Sequence, residues 1–217
     1  MSSIFTGVAT ALITPMNEDG SVNLSKIDEI VEEQIEEPPK SLPPYIVSCG
    51  TTGEGSTLSS EEHVEVMRHT IKAVNHRIPV IAGTGSNDTA FAVELSKEAE
   101  EMGADALLLV SPYYNKASQK GLIEHYTYIA DRVNIPIILY NVPSRTGTNI
   151  SCETYKILSA HKNIVAVKEA NGNISSVAQT VSLCGDALDI YSGNDDQVIP
   201  MISLGGKGVI SVFSNFA

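Results

Sequence analysis

Eight short apolar runs, about 30 residues apart and separated by amphipathic segments, predict an α/β fold of the (β/α)8, or TIM barrel, class. The runs are apolar on both faces, as parallel strands covered by helices are. The competing open, doubly wound sheet would normally carry a nucleotide or phosphate loop at its switch point. None is obvious. GTTGEGSTL (50–58) follows a strand and precedes a helix, but it lacks the GK[ST] of a P-loop and reads as a tight βα turn.

In chain order, the strands are VATALITP (8–15), YIVSC (45–49), PVIAGTG (79–85), ALLLVSP (106–112), PIILYNV (136–142), IVAVKEA (164–170), LDIYSG (188–193) and GVISVF (208–213). The gaps hold the helices. Ser59 and Glu62 have capping-box spacing, and Val64, Met67, Ile71 and Val74 follow with helical spacing. Thr89 to Met102 forms the next helix, closed by Gly103. Leu122, Tyr126, Ile129 and Val133 line one face of the helix after the fourth strand. Segments 151–160, 175–183 and 197–204 supply the later helices. Two features are irregular. EEPPKSLPPYIV (36–47) puts four prolines into the connection to the second strand, which ends a helix and forces extended chain. The sequence also stops just past the eighth strand, at 217 residues, where such barrels run to roughly 250. The expectation is a single barrel domain over 1–217, lacking the final helix and the C-terminal helical region.

Composition narrows the function. With 26 acidic and 14 basic residues, the formal net charge of −12 disfavours nucleic acid and anionic lipid as partners. No apolar run reaches the roughly 18 residues of a membrane span, and the N-terminus lacks a basic n-region, so a cytoplasmic enzyme without signal peptide is expected. Cys49, Cys152 and Cys184 are odd in number and far apart, which points to reduced buried thiols and to neither a disulfide framework nor zinc.

In this fold catalytic groups lie at the C-terminal strand ends. Those ends lead to Thr51 and Thr52, to Thr84, Ser86 and Asn87, to Tyr113 and Tyr114, to Tyr140, Asn141 and Arg145, to Lys168, to Gly193 and Asn194, and to Ser211. Glu54, Glu169, Asp195 and Asp196 stand nearby. The five histidines fall mostly on helices without ligand spacing and read as surface or helix-packing residues. Metal hydrolysis, glycoside hydrolysis and a Ser-His-Asp triad therefore lack their parts, and no metal or cofactor is expected. Amine chemistry remains. A lysine buried in an apolar barrel loses its proton more readily, because burial penalises the charged form. The neutral amine can then add to a ketone and form a Schiff base. Alone, Lys168 reads as a solvated strand end and each tyrosine as a core-edge phenol. Their convergence at one barrel mouth favours chemistry.

GTTGE (50–54), SPYYNKASQKGLIEHY (111–126), YNVPSRTG (140–147), VKEA (167–170) and YSGNDD (191–196) together resemble the dihydrodipicolinate synthase family, from about residue 4 to the end. The resemblance implies a TIM barrel that condenses pyruvate with L-aspartate 4-semialdehyde in lysine and diaminopimelate biosynthesis. It implies that Lys168 forms the Schiff base with pyruvate. Tyr140, Thr51 and Tyr114 would form the proton relay, Tyr114 reaching across a subunit interface of a homotetramer. Thr52 would bind the pyruvate carboxylate, Arg145 the carboxylate of the semialdehyde, and Gly193 and Ile210 would line the pyruvate pocket through their backbone. Arg145 sets this reading above a sugar-acid aldolase of the N-acetylneuraminate lyase superfamily, the alternative, with an inactive truncated remnant as the third. His63, Asn87 and Tyr113 match the family's lysine-feedback site. Phe91, Ser60 and Gly55 depart from it, which implies weak or absent inhibition by lysine.

Overall fold

Two sequence periods, one of 2 and one of 3.6 residues, decide which side chains face which layer. In the computed structural model, which describes residues 4–36 and 44–216, the strands are β1 (Gly7–Ala11), β2 (Tyr45–Ser48), β3 (Val80–Gly83), β4 (Ala106–Val110), β5 (Ile137–Asn141), β6 (Ile164–Glu169), β7 (Asp189–Ser192) and β8 (Gly208–Ser211). They close into a barrel in sequence order, every neighbouring pair parallel, with β8 pairing back onto β1. The helices are α1 (Leu24–Glu36), α2 (Ser60–Val74), α3 (Thr89–Met102), α4 (Gln119–Ala130), the short α5 (Pro143–Thr146), α6 (Cys152–Leu158), α7 (Ile174–Cys184) and α8 (Val198–Ser203). Among the described residues, β8 is followed by a 3-10 turn, Phe213–Asn215. The proline-rich connection lies outside the described residues, apart from its ends.

Strand alternation sorts the core into two shells. Ile138, Tyr140, Ala166 and Ile210 belong to the cluster inside the barrel. Ile137, Leu139 and Val167, their chain neighbours, belong to the cluster between sheet and helices. The N-terminal end of the barrel is plugged by Phe5, stacked on Tyr191 at 4.0 Å and tilted against Tyr45 at 4.8 Å. The Tyr191 hydroxyl donates to the Phe5 carbonyl at 2.8 Å, so the plug is fastened as well as packed.

Sequence and structure differ in detail. The first strand ends at Ala11 instead of continuing to residue 15. Beyond it the chain turns away, held by the Thr14 hydroxyl donating to the Gly53 carbonyl at 2.6 Å, and Pro15 has no N–H to extend the ladder. The eighth strand stops at Ser211, where Val212 and Phe213 turn their N–H groups to Asp195. The capping box on α2 forms as expected, the Glu62 N–H donating to Ser59 at 3.2 Å and the Ser59 N–H to the Glu62 carboxylate at 2.9 Å. The face α2 buries is rotated from the one expected: His63, Val66 and Thr70 join Met67 and Val74 inside, while Val64 and Ile71 sit half-buried. Polar His63 and Thr70 can be buried because each has a backbone carbonyl to bond. Gly103 closes α3 in the left-handed region, at φ 94°.

Candidate active site

Tyr140 and Lys168 are direct partners in the β5–β6 ladder, and both fall on inward-facing positions at the C-terminal end of the barrel. Lys168 is 3% exposed, and its Nζ stands 4.4 Å from the centroid of the Tyr140 ring. Burial pulls the Lys168 pKa down to about 8, against the pull of Asp195 upward, with Arg145 adding a push downward. The amine is therefore partly neutral just above neutral pH, the state a nucleophile needs. Asp195 is itself engaged by the Ser211 hydroxyl and the Val212 and Phe213 N–H groups. It tempers the lysine without capturing it.

Burial raises the Tyr140 pKa, opposed by the Thr51 side chain and by the charge of Arg145. Thr51 comes from the loop after β2, which turns through left-handed backbone at Cys49 and Glu54, both at φ 55°. Such positions strain residues with a Cβ, and they fix the loop's path closely. The β4 loop shows the same device, with Tyr114 at φ 72° and Lys116 at φ 52°. Tyr114 is 87% exposed, its ring projecting from the rim. Arg145 lies exposed on α5, and among the described residues it forms no salt bridge.

A cavity of about 770 Å³ opens at this mouth. Thr51, Tyr113, Tyr114, Tyr140, Arg145 and His63 share its wall. Lys168, Gly193, Thr52, Ile210 and Asn87 do not line it. Lys168 stands beside the Tyr140 ring, which does line it. Gly193 flanks the lysine stem so closely that a Cβ there would lie 3.2 Å from Lys168 Cγ and Cε and 2.8 Å from Ala170 Cβ. Ile210 is fully buried in the inner core. Thr52 is half-buried beside Thr51. Asn87 donates to the Tyr113 carbonyl at 3.2 Å, tying the β3 and β4 loops together.

One group outran the reading of sequence pattern. Helical spacing places the histidines on surface or packing faces, and His63 takes a packing one, its ring nitrogens 3.2 Å and 2.8 Å from the Gly55 and Gly83 carbonyls, with burial lowering its pKa. His125 is also buried, its pKa pushed down to about 4. Glu169 appears in sequence only as a nearby acid. It proves 4% exposed and bonded on every side, with burial raising its pKa to about 7. The signal was available: an acid directly after an inward lysine on a strand apolar on both faces must face the helices. Cys49, Cys152 and Cys184 are free and buried, as expected, and burial pushes the Cys49 thiol to about 12. Among the described residues, no group of three or more His, Cys, Asp or Glu is placed to hold a metal ion, and no helix is long and apolar enough to cross a membrane.

Comparison with known proteins agrees with this fold. The profile of the Dihydrodipicolinate synthetase family matches residues 4–217. The chain is 56% identical to a 4-hydroxy-tetrahydrodipicolinate synthase of Acetivibrio thermocellus, over 98% of this chain and 70% of that protein. It is likewise 56% identical to 4-hydroxy-tetrahydrodipicolinate synthase 1 of Clostridium acetobutylicum, over 98% of this chain and 71% of that one. Among solved structures, the chloride-inhibited dihydrodipicolinate synthase of Acinetobacter baumannii, complexed with pyruvate, superimposes with a TM-score of 0.94 at 44% identity, over 99% of this chain and 72% of that chain. The enzyme of Cyanidioschyzon merolae with lysine bound gives 0.92 at 39% identity, with the same coverage. By profile, by identity and by fold, this chain belongs to the dihydrodipicolinate synthetase family.

Proposed function

We propose that this chain condenses pyruvate, held as an imine on Lys168, with L-aspartate 4-semialdehyde, the reaction its relatives are named for. The observation that carries the reading is the buried Lys168 amine, its pKa lowered to about 8, next to Tyr140 at the barrel mouth. The neutral Nζ adds to the pyruvate carbonyl carbon, and the carbinolamine loses water to give the imine. Loss of a methyl proton gives an enamine, whose carbon attacks the aldehyde of the second substrate; the alkoxide takes a proton, and the substrate's own amine displaces Lys168 from the re-formed imine as the ring closes. Each step moves a proton, which is the task of Tyr140, Thr51 and Tyr114 in this reading.

Thr52 and its neighbouring backbone hold the pyruvate carboxylate, and Gly193 and Ile210 shape its pocket. Arg145, exposed on the cavity wall and without a salt-bridge partner among the described residues, receives the carboxylate of the semialdehyde, a pairing a planar guanidinium suits. Tyr114, projecting from the rim in strained backbone, completes the relay of a second copy in a homotetramer. His63, Asn87 and Tyr113 remain from an effector site. Phe91 turns an aromatic ring to the same cavity where an acid would be needed to hold an effector amine.

The test is borohydride trapping. The chain is incubated with pyruvate, reduced, digested and weighed. A pyruvyl adduct on Lys168 is expected. A folded chain without one overturns the reading.

A further inference from the structure

On the outward side of β5 and β6, one residue beyond Tyr140 and Lys168, lies a second buried cluster that the proposed chemistry does not use. Asn141 is fully buried, and Glu169 and Tyr155 are nearly so. The Asn141 amide donates to both Glu169 oxygens, at 2.9 and 3.2 Å. Glu169 also accepts from the Tyr155 hydroxyl at 2.8 Å and the Asn171 N–H at 2.9 Å. A carboxylate so supplied with donors has one stable position.

The other side of Asn141 reaches the loop that carries Arg145. Its Oδ1 accepts from the Ile150 N–H at 3.1 Å, and its amide donates to Asn149 Oδ1 at 2.8 Å. Between Asn141 and Ile150 the chain makes α5, turns at Gly147 with φ 70°, and is braced internally by the Thr146 hydroxyl donating to the Thr148 carbonyl at 2.9 Å. A loop that leaves a strand at Asn141 and is tied back to the same side chain nine residues later has its length and tilt set there. Gln119 of α4 holds only the far edge, donating to the Asn149 carbonyl at 2.8 Å.

We infer that the Asn141–Glu169 pair is a positioning device for the second substrate: it fixes where Arg145 stands over the cavity, and so governs capture of the semialdehyde carboxylate while leaving imine formation on Lys168 alone. This rests on the proposed function and deepens it. The polarity of the pair matters. Asn141 must present an acceptor to Ile150 and a donor to Glu169 at once. Asparagine does both, an ionised aspartate only accepts, and a misplacement of about 1 Å at a clamp can cost some hundredfold in rate.

The experiment compares the wild-type chain with Asn141→Asp, Glu169→Gln and the double variant. Asn141→Asp sets two carboxyl groups against each other, a contact that closes only by sharing a proton, so the variants are compared at about pH 9, above the Glu169 pKa of about 7. The double variant restores one donor facing one acceptor with the roles exchanged. Three readouts are taken: the pyruvyl adduct trapped on Lys168, the affinity of the pyruvate-loaded chain for succinate semialdehyde, and amide exchange over 146–151. Expected for Asn141→Asp are an unchanged adduct, succinate semialdehyde affinity lower by about tenfold or more, and faster exchange in 146–151 with 164–168 unaltered. The double variant recovers most of both losses. Equal loss of adduct and aldehyde affinity overturns the inference, and so does no loss of either. If the wild-type chain traps no pyruvate, the functional reading has failed separately. The exchange pattern then decides the positioning role alone: faster exchange confined to 146–151 supports it, and unchanged or global exchange sinks it. Should Asn141→Asp not fold, Glu169→Gln, which keeps shape and removes one acceptor, is read by the same criteria.

Discussion

Lys168 and Glu169 are consecutive in the chain and almost equally buried, yet they stand in different media. Lys168 enters the barrel lumen, where an aromatic ring and a glycine flank it and the facing acid is already engaged. Glu169 enters the layer between sheet and helices, where three donors reach it. Burial is the largest cause in each and, net of their partners, both move toward neutrality, the lysine down to about 8 and the glutamate up to about 7. What differs is the satisfaction of each. A buried charge with bonded partners is a structural fixture, whereas one without them is reactive.

The strongest way to break this contrast is to delete each group in turn. Lys168→Met should abolish the pyruvyl adduct and lower turnover by at least about a thousandfold, with the melting temperature unchanged or raised. Glu169→Leu should do the reverse, leaving the Tyr155, Asn141 and Asn171 donors stranded at a cost of about 2–4 kcal/mol by denaturant titration. Loss of stability from the lysine deletion, with none from the glutamate deletion, would invert the assignment.

Titration sharpens it. An unfolded lysine keeps its proton to about 10.4, so between about 8 and 10.4 the unfolded chain binds more protons and the Lys168 contribution to stability rises with pH. An unfolded glutamate titrates near 4.3, so between about 4.3 and 7 the folded chain binds more protons and the Glu169 contribution falls as pH rises. Urea melts across pH should lose the lower slope in Glu169→Gln and the upper one in Lys168→Met. Slopes that survive both substitutions would assign them elsewhere.

A smaller effect is expected from Gly193→Ala. Its methyl would press on the Lys168 stem and on Ala170, at a cost of about 1–3 kcal/mol, and should slow trapping of pyruvate more than it lowers the melting temperature. The smallest is expected from lysine itself. With Phe91 on the cavity wall, lysine at about 1 mM should change the condensation rate by less than about twofold. Strong inhibition would show that the remaining His63, Asn87 and Tyr113 suffice to hold it.

The sequence by itself determined the barrel. Eight runs apolar on both faces read as parallel strands under helices, the lack of a phosphate loop set a barrel above an open sheet, and a period of 2 fixed which residues of each strand look inward. It also brought Lys168, Tyr140, Thr51 and Arg145 to one rim, because every strand end of this fold meets there. Element ends were less legible. Ser211 stops its strand where Asp195, from the loop after β7, takes up the N–H groups that follow, and past the end of β1 the Thr14 hydroxyl bonds Gly53 of another loop. Spacing allowed His63 a packing face but did not show its partners: a polar side chain is buried only where a carbonyl awaits it, and Gly83 is supplied by another strand. The same holds for Glu169. Its neighbour in sequence announced a lysine with a use, but Asn141, Tyr155 and Asn171, which make the acid a fixture, assemble only when β5, α6 and the β6 loop pack together. Periodicity is written residue by residue, whereas hydrogen-bond satisfaction and desolvation belong to groups that only the closed barrel brings within reach.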